Sequence, residues 1–192
     1  MAMEILYINS AVRSGSRTRQ LAQHLLGKLG GNVTEVRPGE LDMPAADEDF
    51  IGKRQQLAEA GDFSADFFAP ARQFAKADII VIAAPYWDLS FPAALKTYFE
   101  QINVLGLTFE YTPEGAPAGL CRAKKLYYVT TAGGYIGSDE YGFGYVRALA
   151  QTFYGIGEVR CFAAQGLDIV GSDADSILAA AKAEIDSCFS DN

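Results

Sequence analysis

The chain has 192 residues, is 49% hydrophobic and 21% charged, and carries a formal net charge of −8. That size and composition suit one globular domain spanning residues 1–192, with enough apolar residues for a sizeable core. The acidic balance argues against a phosphate-backbone binder, so no nucleic-acid partner is expected, although a local nest of backbone N–H groups can still take a small anion.

Cys121, Cys161 and Cys188 form no close pair, so neither a zinc site nor a C-x-x-C redox site is expected. Sparse, odd cysteines fit a reducing compartment. No apolar run reaches membrane-spanning length, and the amino terminus shows no basic-then-apolar leader. The expectation is a cytoplasmic protein with no membrane partner.

Glu4 to Asn9 is a compact apolar run and reads as a central parallel strand. A loop follows from Ser10 to Thr18. Leu21, Ala22, Leu25, Leu26 and Leu29 then recur at helical spacing, and Gly30-Gly31 stops that helix. Val33 to Arg37 is a short mixed strand, expected near an edge. From Pro38 to Ser64 the pattern weakens. Asp47, Glu48 and Asp49 suggest a solvated face, and Phe50 to Ala60 a helix. A further helix is expected from Phe67 to Ala77.

Ile79 to Ala84 is a short β-branched run, read as a buried strand. It ends at Pro85-Tyr86-Trp87-Asp88-Leu89, after which Pro92 opens an amphipathic helix from Ala93 to Val104. An excursion with exposed-looking aromatics follows from Gly106 to Gly115. Leu126 to Thr131 is the fourth strand, Tyr145 to Tyr154 a helix, Val159 to Ala164 the fifth strand, and Ala174 to Phe189 a last helix capped by Ser172 or Asp173. Five strands with interposed helices point to an α/β fold: a doubly wound parallel sheet of flavodoxin-like order 2-1-3-4-5, with helices on both faces. Periodicity does not separate that order from half of a dinucleotide-binding fold; the loops must decide.

In this topology the loops after strands one, three and four converge. The first carries Ser10, Ser14, Ser16 and Thr18, with Arg13 and Arg17, ahead of a helix whose free N–H groups are partly positive. It is either a capped turn or a phosphate pocket, and one hydroxyl would suffice for the cap. The chain contains no G-x-x-x-x-G-K-[ST] motif, and Gly142-Phe143-Gly144 is followed by Arg147 where a dinucleotide fingerprint needs glycine. In the third loop, Tyr86 and Trp87 either cap the core or form the wall for a planar ligand. In the fourth, Ala132-Gly133-Gly134-Tyr135 is either a simple turn or a place where backbone approaches a ligand.

Together these loops resemble the FMN-dependent NAD(P)H oxidoreductases of flavodoxin-like fold, closest to the azoreductase and quinone-reductase branch. The resemblance runs from Ile5 to the last helix. It rests most on Ile82-Ala83-Ala84-Pro85-Tyr86-Trp87, Pro92 to Phe99, Gly106 to Tyr111, and Thr131-Ala132-Gly133-Gly134. It implies FMN phosphate binding at Ser10, Ser16, Arg17 and Thr18. It implies ring contacts at Pro85, Tyr86, Trp87, Asp88 and Leu89, and a second flavin loop at Thr131, Ala132, Gly133, Gly134 and Tyr135. It also implies a homodimer whose partner subunit helps to form the substrate pocket. Phe67, Phe68, Phe109 and Tyr111 are candidates for that interface, equally explicable as core, and Phe109 and Tyr111 for the pocket itself. One position departs from the pattern: Asp88 stands where the family commonly has asparagine.

The implied activity is two-electron, ping-pong hydride transfer from NADH or NADPH through FMN to a quinone, azo compound or related aromatic acceptor. The chemistry is flavin-centred, so no catalytic side chain and no metal are expected; His24, the only histidine, lies away from the loops. The alternatives are a flavodoxin-type electron carrier and a flavin-binding regulatory protein, neither turning over NAD(P)H.

Overall fold

Neighbouring residues of the first strand face different helix layers. In the computed structural model, which describes residues 2–44 and 46–190, β1 (Glu4–Asn9) sends Ile5 and Tyr7 to one face and Leu6 and Ile8 to the other. The chain continues through α1 (Arg17–Leu29), β2 (Asn32–Val36), α2 (Glu48–Glu59), α3 (Ala69–Lys76), β3 (Ile79–Ala83), α4 (Ala93–Ile102), β4 (Phe109–Tyr111), β5 (Pro117–Gly119), β6 (Lys125–Thr131), α5 (Tyr145–Thr152), β7 (Glu158–Ala164) and α6 (Ala174–Cys188).

The main sheet has the order β2-β1-β3-β6-β7, and every neighbouring pair is parallel. This is the expected order, with β6 and β7 as its fourth and fifth strands. The register aligns Val36, Ile8, Ile82, Tyr128 and Cys161 across the sheet. That face packs against α3, α4 and α5 through Phe74, Leu95, Tyr98, Phe99 and Leu149. The opposite face packs against α1 and α6 through Leu21, Leu25, Leu178 and Ile185. All of β3 is buried, which explains its unbroken apolar run. β2 lies at an edge and is largely exposed, as its mixed sequence predicts. From β1 the sheet grows toward β2 on one side and β3 on the other, so a ligand crevice is expected at their carboxyl ends.

Four segments differ from the sequence expectation. α2 starts at Glu48 because Asp47 caps it, accepting the Phe50 N–H at 2.8 Å. The exposed acidic cluster is therefore also a helix start, with Glu48 and Asp49 favourably placed against the helix dipole. The expected 67–77 helix divides into a 3-10 turn, Asp66–Phe68, and α3, whose first turn holds Pro70. A π-helical turn, Glu140–Gly144, precedes α5. The aromatic excursion is the antiparallel pair β4–β5. Within it Phe109 is only 8% exposed and packs edge-on against Phe153 at 4.9 Å between ring centroids, whereas Tyr111 is 54% exposed.

Tyr98 is fully buried, and its hydroxyl has no hydrogen-bond partner. Burial pushes its pKa above the ordinary tyrosine value. An unsatisfied buried hydroxyl costs about 1–3 kcal/mol. Tyr98→Phe is therefore expected to leave stability unchanged or raise it by about 1 kcal/mol in urea unfolding. A loss of more than about 1 kcal/mol would mean that a bound water satisfies the hydroxyl.

Candidate functional site

The crevice at the carboxyl ends of β1 and β3 is built from four loops. Asn9 shapes the first: its Oδ1 accepts the Ala11 N–H at 3.0 Å, and its Nδ2 donates to Glu35 at 2.8 Å. Ser16 closes this loop as the N-cap of α1, its N–H donating to the Arg13 carbonyl at 3.1 Å and its Oγ accepting the Arg19 N–H at 3.3 Å. The N–H groups of Arg17 and Thr18 have no acceptor among the described residues, as the geometry of a first helical turn dictates. Thr18 is 1% exposed, and its Oγ1 lies 2.6 Å from Thr131 Oγ1 on β6. One of these hydroxyls donates to the other, so the pair keeps one proton for a ligand.

The loop after β3 is a tight hairpin turn. Trp87 N–H donates to the Ser90 carbonyl at 3.1 Å, and Ser90 N–H to the Trp87 carbonyl at 2.7 Å. Between them Asp88 and Leu89 both have left-handed backbone, with φ of 48° and 69°. Such a two-residue turn favours Asn-Gly, and a leucine there carries roughly 1–2 kcal/mol of strain. Strain of this kind concentrates at ligand sites. It also gives a backbone reason for asparagine in the resemblance: Asn and Asp both tolerate this conformation.

The loops after β6 and β7 are stitched together. Leu167, Asp168 and Gly166 N–H groups donate to the carbonyls of Ala132, Gly133 and Gly134 at 3.2, 2.9 and 2.8 Å. These bonds occupy the carbonyls of the glycine loop, while the N–H groups of Gly133 and Gly134 have no acceptor among the described residues. Arg17 closes the circle, donating to the Leu167 carbonyl at 3.1 Å and to the Asp168 carboxylate at 2.6 Å.

The resulting cavity, about 290 Å³, gathers Ser16, Arg17 and Thr18 with Pro85, Tyr86 and Trp87 and with Thr131, Ala132 and Gly133. Trp87 is 42% exposed, so it walls the cavity without capping the core. Ser10 does not reach the cavity. Its N–H extends the β1–β3 ladder by donating to the Ala83 carbonyl at 2.8 Å. It lines a neighbouring cavity instead, with Asn9, Ser14, Arg19 and Pro92. Asp88 and Leu89 project outward from their turn, and Gly134 and Tyr135 lie beyond the wall. Phe109 lines a groove with α2, not this crevice, because its ring is committed to Phe153. Sequence reasoning missed Leu167 and Asp168. Their segment, Gly166-Leu167-Asp168, carries no motif, and only the adjacency of the β6 and β7 carboxyl ends reveals it.

His24 stays outside the site. Its Nε2 lies 2.8 Å from an Asp186 oxygen that also meets Lys28 Nζ at 2.7 Å, tying α1 to α6. Hydrogen bonding from Lys28, and then from His24, holds the Asp186 carboxyl below the usual range.

A family described as "Flavodoxin-like fold" matches residues 3–188. An FMN-dependent NADH:quinone oxidoreductase of Lachnoclostridium phytofermentans is 34% identical over 183 residues, covering 90% of this chain and 91% of the relative. Another of that name, from Clostridium beijerinckii, is 34% identical over 184 residues, covering 91% and 92%. Among solved structures, an FMN-dependent NADH-azoreductase from Bacillus anthracis in complex with FMN shares the fold, with a TM-score of 0.81 over 98% of each chain at 22% identity. With a match over almost its whole length, and with relatives of this kind, the chain belongs to the flavodoxin-like family that includes the FMN-dependent NADH:quinone oxidoreductases.

Proposed function

We propose that the protein binds FMN in the crevice and uses NADH to reduce quinones, azo compounds or related aromatic acceptors. The observation that carries this reading is the meeting of a donor-rich helix start, an aromatic turn and a glycine loop at one switch point of the sheet. The residues present fit FMN. The Ser16 hydroxyl, the Arg17 and Thr18 N–H groups and the spare proton of the Thr18–Thr131 pair would hold its phosphate. Arg13 adds positive charge, while the Arg17 guanidinium is already matched by Asp168. Pro85, Tyr86 and Trp87 would wall the ring, with Leu89 and Asp88 offering backbone beside it. Gly133 and Gly134 would present N–H groups to its polar edge, and Tyr135 stands exposed at the mouth.

When bound, FMN supplies the two-electron hydride chemistry. The chain's own part is to anchor, orient and partly desolvate it. We further propose that the chain acts as one FMN-binding domain, as a homodimer, and in the cytoplasm. Three free cysteines fit a reducing compartment. A pocket role for Phe109 and Tyr111 requires the homodimer, since Phe109 lies off the crevice of its own chain. The acidic charge would equally suit a flavodoxin-type carrier meeting a basic redox partner. The test is direct: the purified protein should carry flavin absorbance and oxidise NADH rapidly with menadione. Absence of flavin binding overturns the reading; flavin without turnover selects the carrier.

Asp88→Asn is conformationally quiet because both residues accept the left-handed turn, so it isolates charge. The Asp88 carboxylate is exposed and makes no ion pair among the described residues. Removing it is expected to raise the FMN midpoint potential by on the order of 10–30 mV at low salt, from a screened Coulomb interaction. A spectroelectrochemical potential equal to wild type would show that the carboxylate points away from the ring.

A further inference from the structure

The loop before α1 is fastened by a side chain on the neighbouring edge strand. Asn9, the last residue of β1, is 2% exposed. Its Oδ1 accepts the Ala11 N–H at the start of the loop, and its Nδ2 has one acceptor among the described residues, Glu35 Oε1 on β2. Glu35 is itself fixed. The Arg37 Nε donates to the same oxygen at 2.9 Å, and the 3-10 turn Pro38–Glu40 brings Glu40 round to accept the Arg37 Nη1 at 3.1 Å. Further along the loop, Arg19 on α1 donates to the Ser14 carbonyl. Asn9, Ser14, Arg19, Arg37 and Glu40 line one cavity of about 300 Å³ beside the loop.

The chemistry of these groups allows one arrangement. An ionised carboxylate only accepts, so it takes the Nδ2 of the Asn9 amide and leaves Oδ1 for Ala11. The reversed amide would set donor against donor at Ala11 and acceptor against acceptor at Glu35. Hydrogen bonding from Asn9, and then from Arg37, holds the Glu35 carboxyl below the usual range, so it is ionised at neutral pH. As an ion pair, Glu35 and Arg37 contribute little to stability, because their side chains are 37% and 41% exposed. The consequence of the carboxylate falls on Asn9. Without it, a buried amide nitrogen has no acceptor, and the side chain has to leave Ala11 to hydrate it.

We propose that Glu35 is a positioning residue: through the Asn9 amide it holds the loop from Ala11 to Ser16 in the shape that presents the helix-start donors to an anionic phosphate. The role rests on the cofactor reading above; the relay from Glu35 to Ala11 does not.

Two measurements on the full-length chain test it: amide hydrogen exchange at Ala11, read by NMR, and fluorescence titration with FMN. Glu35→Met keeps the length of the side chain and removes the acceptor. Glu35→Gln keeps an oxygen that both Asn9 and Arg37 can reach and removes only the charge. Glu35→Met should speed Ala11 exchange at least about tenfold. It should weaken FMN by roughly five- to twentyfold, as fewer molecules hold the competent loop. Glu35→Gln should stay within about twofold of wild type in both. Charge alone predicts another sign: losing a carboxylate near a phosphate site would tighten FMN in both variants alike. In an Asn9→Ala background, Glu35→Met should change FMN affinity by less than about twofold, because the relay is already cut. Ala11 exchange in Glu35→Met at the wild-type rate overturns the relay. Faster exchange with unchanged FMN affinity overturns the positioning role, and so does equal weakening by both Glu35 variants. If Asn9→Ala does not fold, the comparison of the two Glu35 variants decides alone. Wild-type protein that binds no FMN overturns the cofactor reading, and the role with it, while Ala11 exchange still decides the relay.

Discussion

Gly119→Ala is expected to cost about 3 kcal/mol or more and to lower the thermal midpoint by roughly 6–12 °C. A Cβ at this position would lie 2.1 Å from both Gly155 N and Tyr154 C and 2.5 Å from Gly155 Cα. All three atoms are backbone, so no side chain can rotate aside. The backbone they belong to is itself held. Gly155 has φ +70° at the end of α5, where the Tyr154 and Ile156 N–H groups donate to the Leu149 and Ala150 carbonyls at 3.2 and 2.9 Å. Tyr154 is buried against Phe74, with ring centroids 4.7 Å apart. Relief of the clash therefore has to move either the β4–β5 pair or the end of α5. Gly155→Ala is the comparison. Its Cβ would meet Gly119 at 3.3 Å, a tight but tolerable contact, and would add left-handed strain of roughly 1–2 kcal/mol. The expected order of damage is Gly119→Ala over Gly155→Ala. A Gly119→Ala midpoint within about 2 °C of wild type would show that the hairpin is free to lift from α5.

The parallel α/β architecture was legible because apolar runs of five or six residues alternate with helical spacing, and because β3 is apolar without interruption; the strand order itself followed from the loops. The crevice was legible where chemistry clusters in sequence: hydroxyls before α1, aromatics after β3, glycines after β6. What escaped was of two kinds. Side-chain direction was one. Ser10 looks like Ser16 in composition, yet it lines a neighbouring cavity with Arg19 and Pro92 and not the crevice. Phe109 reads as exposed, yet Phe153, far along the chain, covers it. Contacts made by unremarkable residues were the other. Asp168 acts only because β7 lies beside β6 and because Arg17 reaches it across 151 residues of sequence separation. The Asp88–Leu89 turn was hidden for a related reason. Its left-handed conformation usually announces itself with asparagine and glycine, and here a leucine bears the strain.

Asp168 also determines the effect expected at the glycine loop. Gly133→Ala should weaken FMN binding by about 10- to 100-fold while lowering the stability of the apoprotein by only about 1 kcal/mol. The Gly133 backbone does not need positive φ, so alanine is conformationally acceptable there. Its Cβ, however, would lie 2.5 Å from Asp168 Oδ2 and 3.2 Å from Cγ, on the wall of the crevice. Asp168 cannot retreat freely. Its N–H is bonded to the Gly133 carbonyl at 2.9 Å, and its other oxygen is held by Arg17 at 2.6 Å. Displacing the carboxylate releases the Arg17 side chain at the start of α1, where the proposed phosphate donors stand. The ion pair is partly exposed and worth little to stability, so the loss falls on the cofactor. A double-mutant cycle separates the two ways glycine matters. If the clash dominates, Asp168→Gly combined with Gly133→Ala should bind FMN more tightly than Gly133→Ala alone. If the combined variant binds no better, the methyl group itself obstructs the approach of the Gly133 and Gly134 N–H groups to the ring, and Asp168 is only a bystander. Fluorescence titration of the apoprotein with FMN reads all four affinities. Wild-type affinity in Gly133→Ala would remove this loop from the flavin site altogether.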